Sequence, residues 1–407
     1  MSLVLSESLI DLNFMKLAVL ITHPIQYFAP VFRKLAVTPG IDLHIFFGCD
    51  HGSRVAHDPS FKTAFSWDSS PAEGFPRTFL SSGNIRGLSG FLSVSLGLKA
   101  VRDINAFHPD AVLIFSYSPV FIIFATVLLK VTGNTLLLRA ETTDKALERS
   151  WLKDFIRSLF LKLYYKQFSF VFPIGTNSVE HYKRMDVALE RQLTAMYSVD
   201  VDYFERQVKQ WMPKRLKLRE LAGIPVSDHV FMYCGKMFPP KDPLIIPAAL
   251  ALLPAEKLGR LWLIAVGEGE LRPEFERCVS TQLKKRALFV GFRNQSELGK
   301  YYAISNTLIL PSKSGETWGL VVNEALQFGM GFIVSDIVGC GNDLISRGAY
   351  GQIFKSKDPA ALSSAIEMAM EREGRVGMGT VRIPHPSLFV KAILSAMQMI
   401  KEGSRGK

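Results

Sequence analysis

Two lysines five residues apart, Lys236 and Lys241, follow the apolar run Val230–Tyr233 and Gly235. In a loop beyond a strand both ammonium groups can converge on one anion, and a leaving diphosphate gains most from them as its charge develops. The spacing is also common on solvated surfaces, so the pair alone decides nothing. Val266-Gly267-Glu268-Gly269 ends a second apolar run. Its Gly-x-Gly turn lets backbone approach a ligand, but it lacks the third glycine and the following acid of a dinucleotide fingerprint. A third segment, Pro311–Glu324, carries Glu316 in a glycine-flanked loop and Glu324 one to two turns into the next helix. The amides near Trp318, Gly319, Leu320 and Val321 then face phosphate or sugar oxygens at a helix N-terminus. An acidic cap with a second surface acid gives the same spacing. The fourth segment, Val338-Gly339-Cys340-Gly341-Asn342-Asp343, is a glycine-rich turn that an ordinary loop also explains.

Elements able to hold these segments run the length of the chain. Apolar strand-like runs at Leu17–Ile21, Leu43–Phe47, Ala111–Phe115, Thr135–Arg139 and Phe170–Ile174 alternate with helical patterns, among them Phe28–Leu35 and Val179–Met185. A second series runs through Val230–Tyr233, Leu261–Val266, Ala287–Val290, Thr307–Leu310 and Gly331–Ser335. Such alternation predicts parallel strands with crossover helices, covered on both faces. The expected fold class is α/β, as two doubly wound units in succession whose ligands sit at the carboxyl ends of strands. The boundaries fall at 1–205 and 206–385, with a C-terminal helix at about 386–402 placed to pack back on the first unit. Val208–Leu221, basic and containing Pro213, reads as linker-like. Ala111–Leu129 runs nineteen residues without a charge, close to the length of a membrane span. Ser116-Tyr117-Ser118-Pro119 interrupts it, so a buried strand, a turn and a buried helix Val120–Lys130 are expected instead.

Composition narrows the ligand classes. Hydrophobic residues make up 48% and charged residues 21% of the 407, the balance of a globular α/β protein with a large core in each half. The net charge of +11 lies almost wholly in the second half, since residues 1–205 hold 20 Lys/Arg against 19 Asp/Glu. A basic second half suits an anionic ligand or an acidic membrane surface, and a solvated basic surface equally. The chain has no basic tail and no RNA-binding aromatic signature, which disfavours nucleic acid. Four scattered cysteines, Cys49, Cys234, Cys278 and Cys340, form no CxxC pair, and a reducing compartment fits them. The first fourteen residues lack a basic start, so no cleavable leader is expected.

Taken in order, the four segments resemble the donor domain of the retaining GT-B glycosyltransferases of glycosyltransferase family 4. The likeness runs from about Phe231 to Ala369. It includes Val290-Gly291-Phe292, Ser296-Glu297-Leu298 with Tyr301-Tyr302, Glu324-Ala325, Gly329, Ser335-Asp336 and Gly351-Gln352-Ile353-Phe354. It continues more faintly at Arg149–Lys166, Gly175-Thr176-Asn177, Tyr182 and Ser198–Phe204. The resemblance implies a GT-B fold, two Rossmann-like domains facing each other across a cleft. It implies transfer of a sugar, with retention, from a UDP- or GDP-sugar to a hydroxyl of a glycan or lipid-linked acceptor in cell-surface polysaccharide or glycoconjugate synthesis. No cofactor and no metal are implied. Lys236 and Lys241 would hold the diphosphate and Glu316 would face the donor sugar. Glu324 would accept from the ribose hydroxyls, and Phe292 and Arg293 would flank the base. The turns at Gly235 and Gly267 and the stretch Trp318, Gly319, Leu320 and Val321 would complete the donor site.

Departures from that pattern shape the acceptor side. In place of a glycine-rich loop after the first strand stands Thr22-His23-Pro24-Ile25-Gln26-Tyr27. His23 either touches donor or acceptor or is structural. Where many relatives have a histidine, this chain has Arg139-Ala140-Glu141. Glu141 either takes a proton or orients the acceptor with Arg139 as its salt-bridge partner, or the two form a buried ion pair. Lysine at 236, where the family more often has arginine, keeps the charge but loses the bidentate fork. Trp151–Lys166 alternates basic and aromatic residues near helical spacing. A core helix with its basic face in water is the preferred account; an interfacial helix giving peripheral membrane association is the other. The expected location is cytoplasmic, at or near the inner face of a membrane. Two rival functions use the same architecture: an epimerase acting on the nucleotide sugar alone, and a catalytically idle nucleotide-binding subunit.

Overall fold

In the computed structural model, residues 14–405 are described apart from 54–55, 59–62, 66–69, 91–92, 146–149 and 372–381. The leader reading and the likeness at Arg149 lie outside the described residues. Strand β1 (Met15–Ile21) has its last five residues buried, the continuous apolar pattern of a strand covered on both faces. β2 (Ile41–Phe47), a hairpin of β3 (Ala56–Asp58) and β4 (Thr63–Phe65), β5 (Arg77–Phe79), β6 (Ala111–Phe115), β7 (Leu136–Arg139) and β8 (Phe170–Val171) complete the first half. The second half contains β9 (His229–Cys234), β10 (Leu261–Val266), β11 (Ala287–Gly291), β12 (Thr307–Leu310), β13 (Gly331–Ser335) and β14 (Gly351–Phe354).

Two six-stranded parallel sheets result, ordered β5-β2-β1-β6-β7-β8 and β11-β10-β9-β12-β13-β14. Each follows the doubly wound order 3-2-1-4-5-6, in which ligands bind beyond the strand ends where the order reverses. That reversal falls between β1 and β6, registered Leu17 to Ala111, and between β9 and β12, registered Phe231 to Thr307. The expected α/β class and twin doubly wound architecture are therefore present. One apolar cluster continues from the first sheet through Tyr197, Val199 and Phe204 into the second, while separate clusters cover the other face of each sheet.

Two segments differ from the sequence reading. Val208–Leu221 is helical rather than linker-like, spanning the end of a helix at Val201–Trp211, a turn at Met212–Lys214 and a helix at Arg215–Leu221. Its two arginines are used internally. Arg219 is buried and donates to the carbonyls of Ile304 and Asp228, and Arg215 caps the carbonyls of Ala303 and Ser305. The carbonyls of Ala303, Ile304 and Ser305 end the helix Gln295–Ile304, where cations are favoured. The helix Trp151–Tyr165 buries only Leu161, Tyr164 and Tyr165, so it is not a core helix with a basic outer face. Its outer face is apolar.

Ala111–Leu129 does divide into β6 and a helix at Val120–Val131, with Pro119 at the N-cap. Among the described residues no helix is long and apolar enough to cross a membrane. The C-terminal helix Pro386–Arg405 sets Phe389 against Phe172 and Phe115 of the first half, at ring separations of 5.4 and 6.4 Å.

Candidate active site

The carboxyl ends of the two sheets enclose a cavity of about 350 Å³, within the range of small-molecule sites. From the second half it is lined by Cys234–Lys236 and Lys241 after β9, Val266 and Gly267 at β10, Phe292 and Arg293 after β11, and Glu316–Val321 with Glu324 after β12. From the first half come Gln26 and Tyr27 after β1, Glu141 after β7, and Tyr197.

Local sequence explains the second-half wall. Gly267 has φ +138°, and a Cβ there would stand 1.9 Å from the Gly235 carbonyl oxygen. Glycine is thus the residue that lets the β10 loop lie against the β9 loop, from which Lys236 and Lys241 extend. Gly319 sits at φ +101° as N-cap of the helix Leu320–Gln327, so the first amides of that helix face the cavity through Leu320 and Val321. Trp318 is buried, and its indole donates to Asn323 at 2.9 Å. Asn323 in turn donates to the Tyr197 carbonyl at 3.1 Å, tying this loop to the first half.

The charged groups are paired across the cavity wall. Lys241 bonds Glu316, which also accepts from the Ser312 hydroxyl at 3.1 Å. Glu324 is buried; one carboxylate oxygen accepts from Tyr302 at 2.7 Å and the other from Tyr27 at 3.2 Å. Burial pushes the Glu324 carboxyl above its ordinary range, and its hydrogen bonds from Tyr302, Tyr27 and Gln295 oppose the push. Burial likewise raises the Tyr27 hydroxyl well above its usual value, with Glu324 adding to the rise, so Tyr27 is a donor here. Cys234 is pushed up to about 12, first by burial and then by Glu324; its thiol stays protonated at neutral pH.

Glu141 presents its side chain to the cavity and accepts from the Tyr197 hydroxyl. Surrounding protein still desolvates the carboxyl and raises its pKa; the Tyr197 bond and the Arg139 charge oppose this, and Glu316 adds to it. A carboxyl held this way suits proton exchange or acceptor orientation.

Two expected residues stand elsewhere. Arg139, the last residue of β7, points into the core, where its guanidinium donates to the carbonyls of Phe172, Pro173 and Ala195 and lies 4.6 Å from the Phe389 ring centre. No ion pair within 4.0 Å joins it to Glu141 among the described residues. Glu141 lies beyond the end of β7, free of the strand's pleat, whereas Arg139 is still on it and serves as a pin beneath the cavity floor. His23 does not line the cavity. Its Nδ1 shares a hydrogen with the Thr22 hydroxyl at 2.9 Å, its ring meets His51 edge-on at 5.8 Å, and burial followed by the His51 charge lowers its pKa to about 4. The other residues expected from the sequence, Lys236, Lys241, Glu316, Glu141, Gly235, Gly267, Phe292, Arg293, Trp318, Gly319, Leu320, Val321 and Glu324, all line the one cavity. Tyr27, Tyr197, Gln26 and Gln295 were not singled out by sequence. Tyrosines and glutamines carry no spacing signal, and only the meeting of the two halves, as in the 2.6 Å bond from Gln26 to Gln295, reveals them.

Comparison with known proteins concentrates on the same segment. The family model described as Glycosyl transferases group 1 matches residues 214–377. A D-inositol 3-phosphate glycosyltransferase of Xylanimonas cellulosilytica is 26% identical over 186 residues, 44% of this chain and 42% of that protein. A UDP-Gal:alpha-D-GlcNAc-diphosphoundecaprenol alpha-1,3-galactosyltransferase of Escherichia coli is 29% identical over 150 residues, 36% of this chain and 38% of that protein. The matched stretches thus span less than half the length of these curated relatives. Among solved structures, Anabaena Alr3699/HepE in complex with UDP and glucose superposes with a TM-score of 0.62 at 15% identity, covering 97% of this chain and 100% of that one. The lipopolysaccharide outer core galactosyltransferase WaaB gives 0.65 at 16% identity, covering 94% and 99%. At such identities these structures speak for the fold alone, and the fold they share is GT-B. Residues 214–377, which supply the lysine loop, the glutamate loop and the helix N-terminus of the cavity, are thus the part of this chain that the glycosyl transferases group 1 model matches.

Proposed function

We propose that the chain is a retaining, metal-independent glycosyltransferase of family 4 that moves a sugar from a UDP- or GDP-sugar to a hydroxyl of a glycan or lipid-linked acceptor. The supporting observation is that Lys236, Lys241, Glu316, Glu324 and the amides of Leu320 and Val321 border one cavity with Tyr27, Glu141 and Tyr197 of the other half. The second half, residues 206–385 in this reading, takes the donor; residues 1–205 with the C-terminal helix take the acceptor. UDP and glucose in the similar Anabaena protein, and the diphosphoundecaprenol acceptor in the name of the Escherichia coli relative, support a nucleotide-sugar donor and a lipid-linked acceptor.

Each group has a physical task. Lys236 and Lys241 stabilise the diphosphate as its charge grows, assisted by the helix N-terminus. Lys241 first has to leave Glu316, which is then turned toward the sugar. Glu324 exchanges the Tyr27 hydroxyl for a ribose hydroxyl while Tyr302 keeps it oriented. Glu141 receives or directs the acceptor hydroxyl. Enclosure between two domains excludes water and strengthens each interaction. We place the activity at the cytoplasmic face of a membrane, in cell-surface polysaccharide or glycoconjugate synthesis. The test is incubation with UDP- and GDP-sugars, with and without a mixed pool of glycan and polyprenyl-diphosphate sugar acceptors. Acceptor-dependent release of nucleoside diphosphate is expected. An epimer formed from donor alone, or donor binding with no turnover on any acceptor, contradicts the proposal.

A further inference from the structure

The helix Trp151–Tyr165 carries a run of exposed apolar side chains that the cavity does not explain. Trp151, Leu152, Phe155, Ile156, Leu159, Phe160 and Leu163 are all exposed; Trp151 is 80%, Phe155 63% and Leu159 57% accessible. At 100° per residue these positions form one outward stripe. Contiguous exposure on this scale marks an interaction surface.

The helix is firmly held by its opposite side, so the stripe is not a sign of loose packing. Leu161, Tyr164 and Tyr165 are buried against the first sheet's outer cluster. The Tyr164 hydroxyl meets the Thr126 hydroxyl at 3.0 Å, joining this helix to Val120–Val131. Arg184 bonds Asp154 at 3.0 Å and Asp144 at 2.7 Å, and Arg157 reaches the Tyr117 hydroxyl at 3.2 Å. Asp154 is the helix's one acid and is thereby turned inward. Lys153 and Lys166 remain exposed beside the stripe, with Lys162 partly exposed and paired to Asp186 at 2.8 Å. The adjoining helix adds exposed Val120, Val127, Val131 and Lys130.

We infer that this face docks the protein on an anionic lipid bilayer, with the Trp151–Leu163 stripe inserted at the acyl boundary and Lys153 and Lys166 on the headgroups. An apolar stripe of aromatic and leucine residues edged by lysines, without an outward acid, is complementary to such a surface. A second copy of the chain would instead set these lysines against their own kind. Because the helix follows Glu141 and β7 closely in the chain, docking brings the acceptor side of the cavity to the bilayer. The inference deepens the membrane placement proposed above but stands on the helix alone, whatever nucleotide fills the cavity.

The test is co-sedimentation of the full chain with vesicles of equal parts phosphatidylglycerol and phosphatidylcholine, and with pure phosphatidylcholine. The variants are Phe155→Ser/Leu159→Gln and Lys153→Glu/Lys166→Glu; the melting temperature reports folding, and its rise with UDP or GDP reports donor binding. Wild type should partition onto anionic vesicles, the apolar variant about tenfold or more weakly. The lysine variant, high salt and pure phosphatidylcholine should each weaken binding, with the response to UDP or GDP unchanged in both variants. Absence of wild-type binding, equal binding by the apolar variant, or a concentration-dependent dimer that this variant abolishes would overturn the docking face. Vesicle binding by a wild type that responds to neither UDP nor GDP would leave the docking face standing and remove the donor reading instead.

Discussion

The two sheets share one strand order, yet they furnish the cavity differently. The second half lines it with loops after four of its strands, and those loops carry the lysines, the glutamates and a helix N-terminus. The first half sends in few groups, and three of them, Tyr27, Tyr197 and Glu141, act as hydroxyl or carboxyl partners. In the proposed reading, one wall meets a fixed anionic group through charges and amides. The other is built to adjust hydrogen bonds to something more variable. Identical topology thus leaves the chemistry to loop residues, and the family match at residues 214–377 falls on the wall whose task is more constrained.

The contrast can be broken most sharply at Lys241. Lys241→Ala should lower kcat by about 10²–10³-fold, the usual cost of losing one preorganised charge stabiliser. A steady-state assay showing near-normal kcat would reduce Lys241 to the structural partner of Glu316. Glu324→Gln should act on donor affinity, because the amide keeps a contact with Tyr302 but gives up the charge that strengthens a bond to ribose. The expected result is roughly a tenfold rise in donor KM, with kcat changed far less; a kcat loss with constant KM would reassign Glu324 to the chemistry.

The first-half wall is sharpened by pH rather than by a large rate loss. The Tyr197 bond lowers the Glu141 pKa, so Tyr197→Phe should move the acid limb of the rate profile to higher pH. An unmoved limb would detach Glu141 from catalysis. Stability supplies a second reading. With its folded pKa above the ordinary 4.5, Glu141 makes the folded state bind more protons than the unfolded one between those values. Stability contributed by this group therefore falls as pH rises through that window. The melting temperature of wild type relative to Glu141→Gln should decline across it, and a constant difference would show that the carboxyl is not held up by its surroundings.

Much of the second-half wall was readable because its backbone needs are written in residue type. Gly267 and Gly319 mark close approach and a left-handed cap, and lysines or glutamates beside them inherit a direction. Strand runs were equally legible, since burial on both faces demands unbroken apolar stretches. What sequence hid were relations between distant segments. Arg139 near Glu141 looks like an ion pair in the text, but Arg139 ends β7 with its side chain in the core, on the carbonyls of Phe172 and Ala195, while Glu141 lies past the strand. The basic run at Arg215 and Arg219 looks like a linker until the carbonyl ends of Gln295–Ile304 receive it. For Trp151–Tyr165 the helical period was plain; which side the body of the protein covers was not.

The central claim is that one cavity gathers cations and amides for a nucleoside diphosphate. Its most direct test is the melting temperature of wild type and of Lys236→Ala/Lys241→Ala with UDP, GDP and ADP at saturating concentration, since a ligand that binds only the folded state raises it. One or more of the three should raise the wild-type midpoint clearly, and the doubly substituted protein should lose most of that rise while melting normally without ligand. No response of wild type to any of them, or a full response retained without both lysines, would contradict the account.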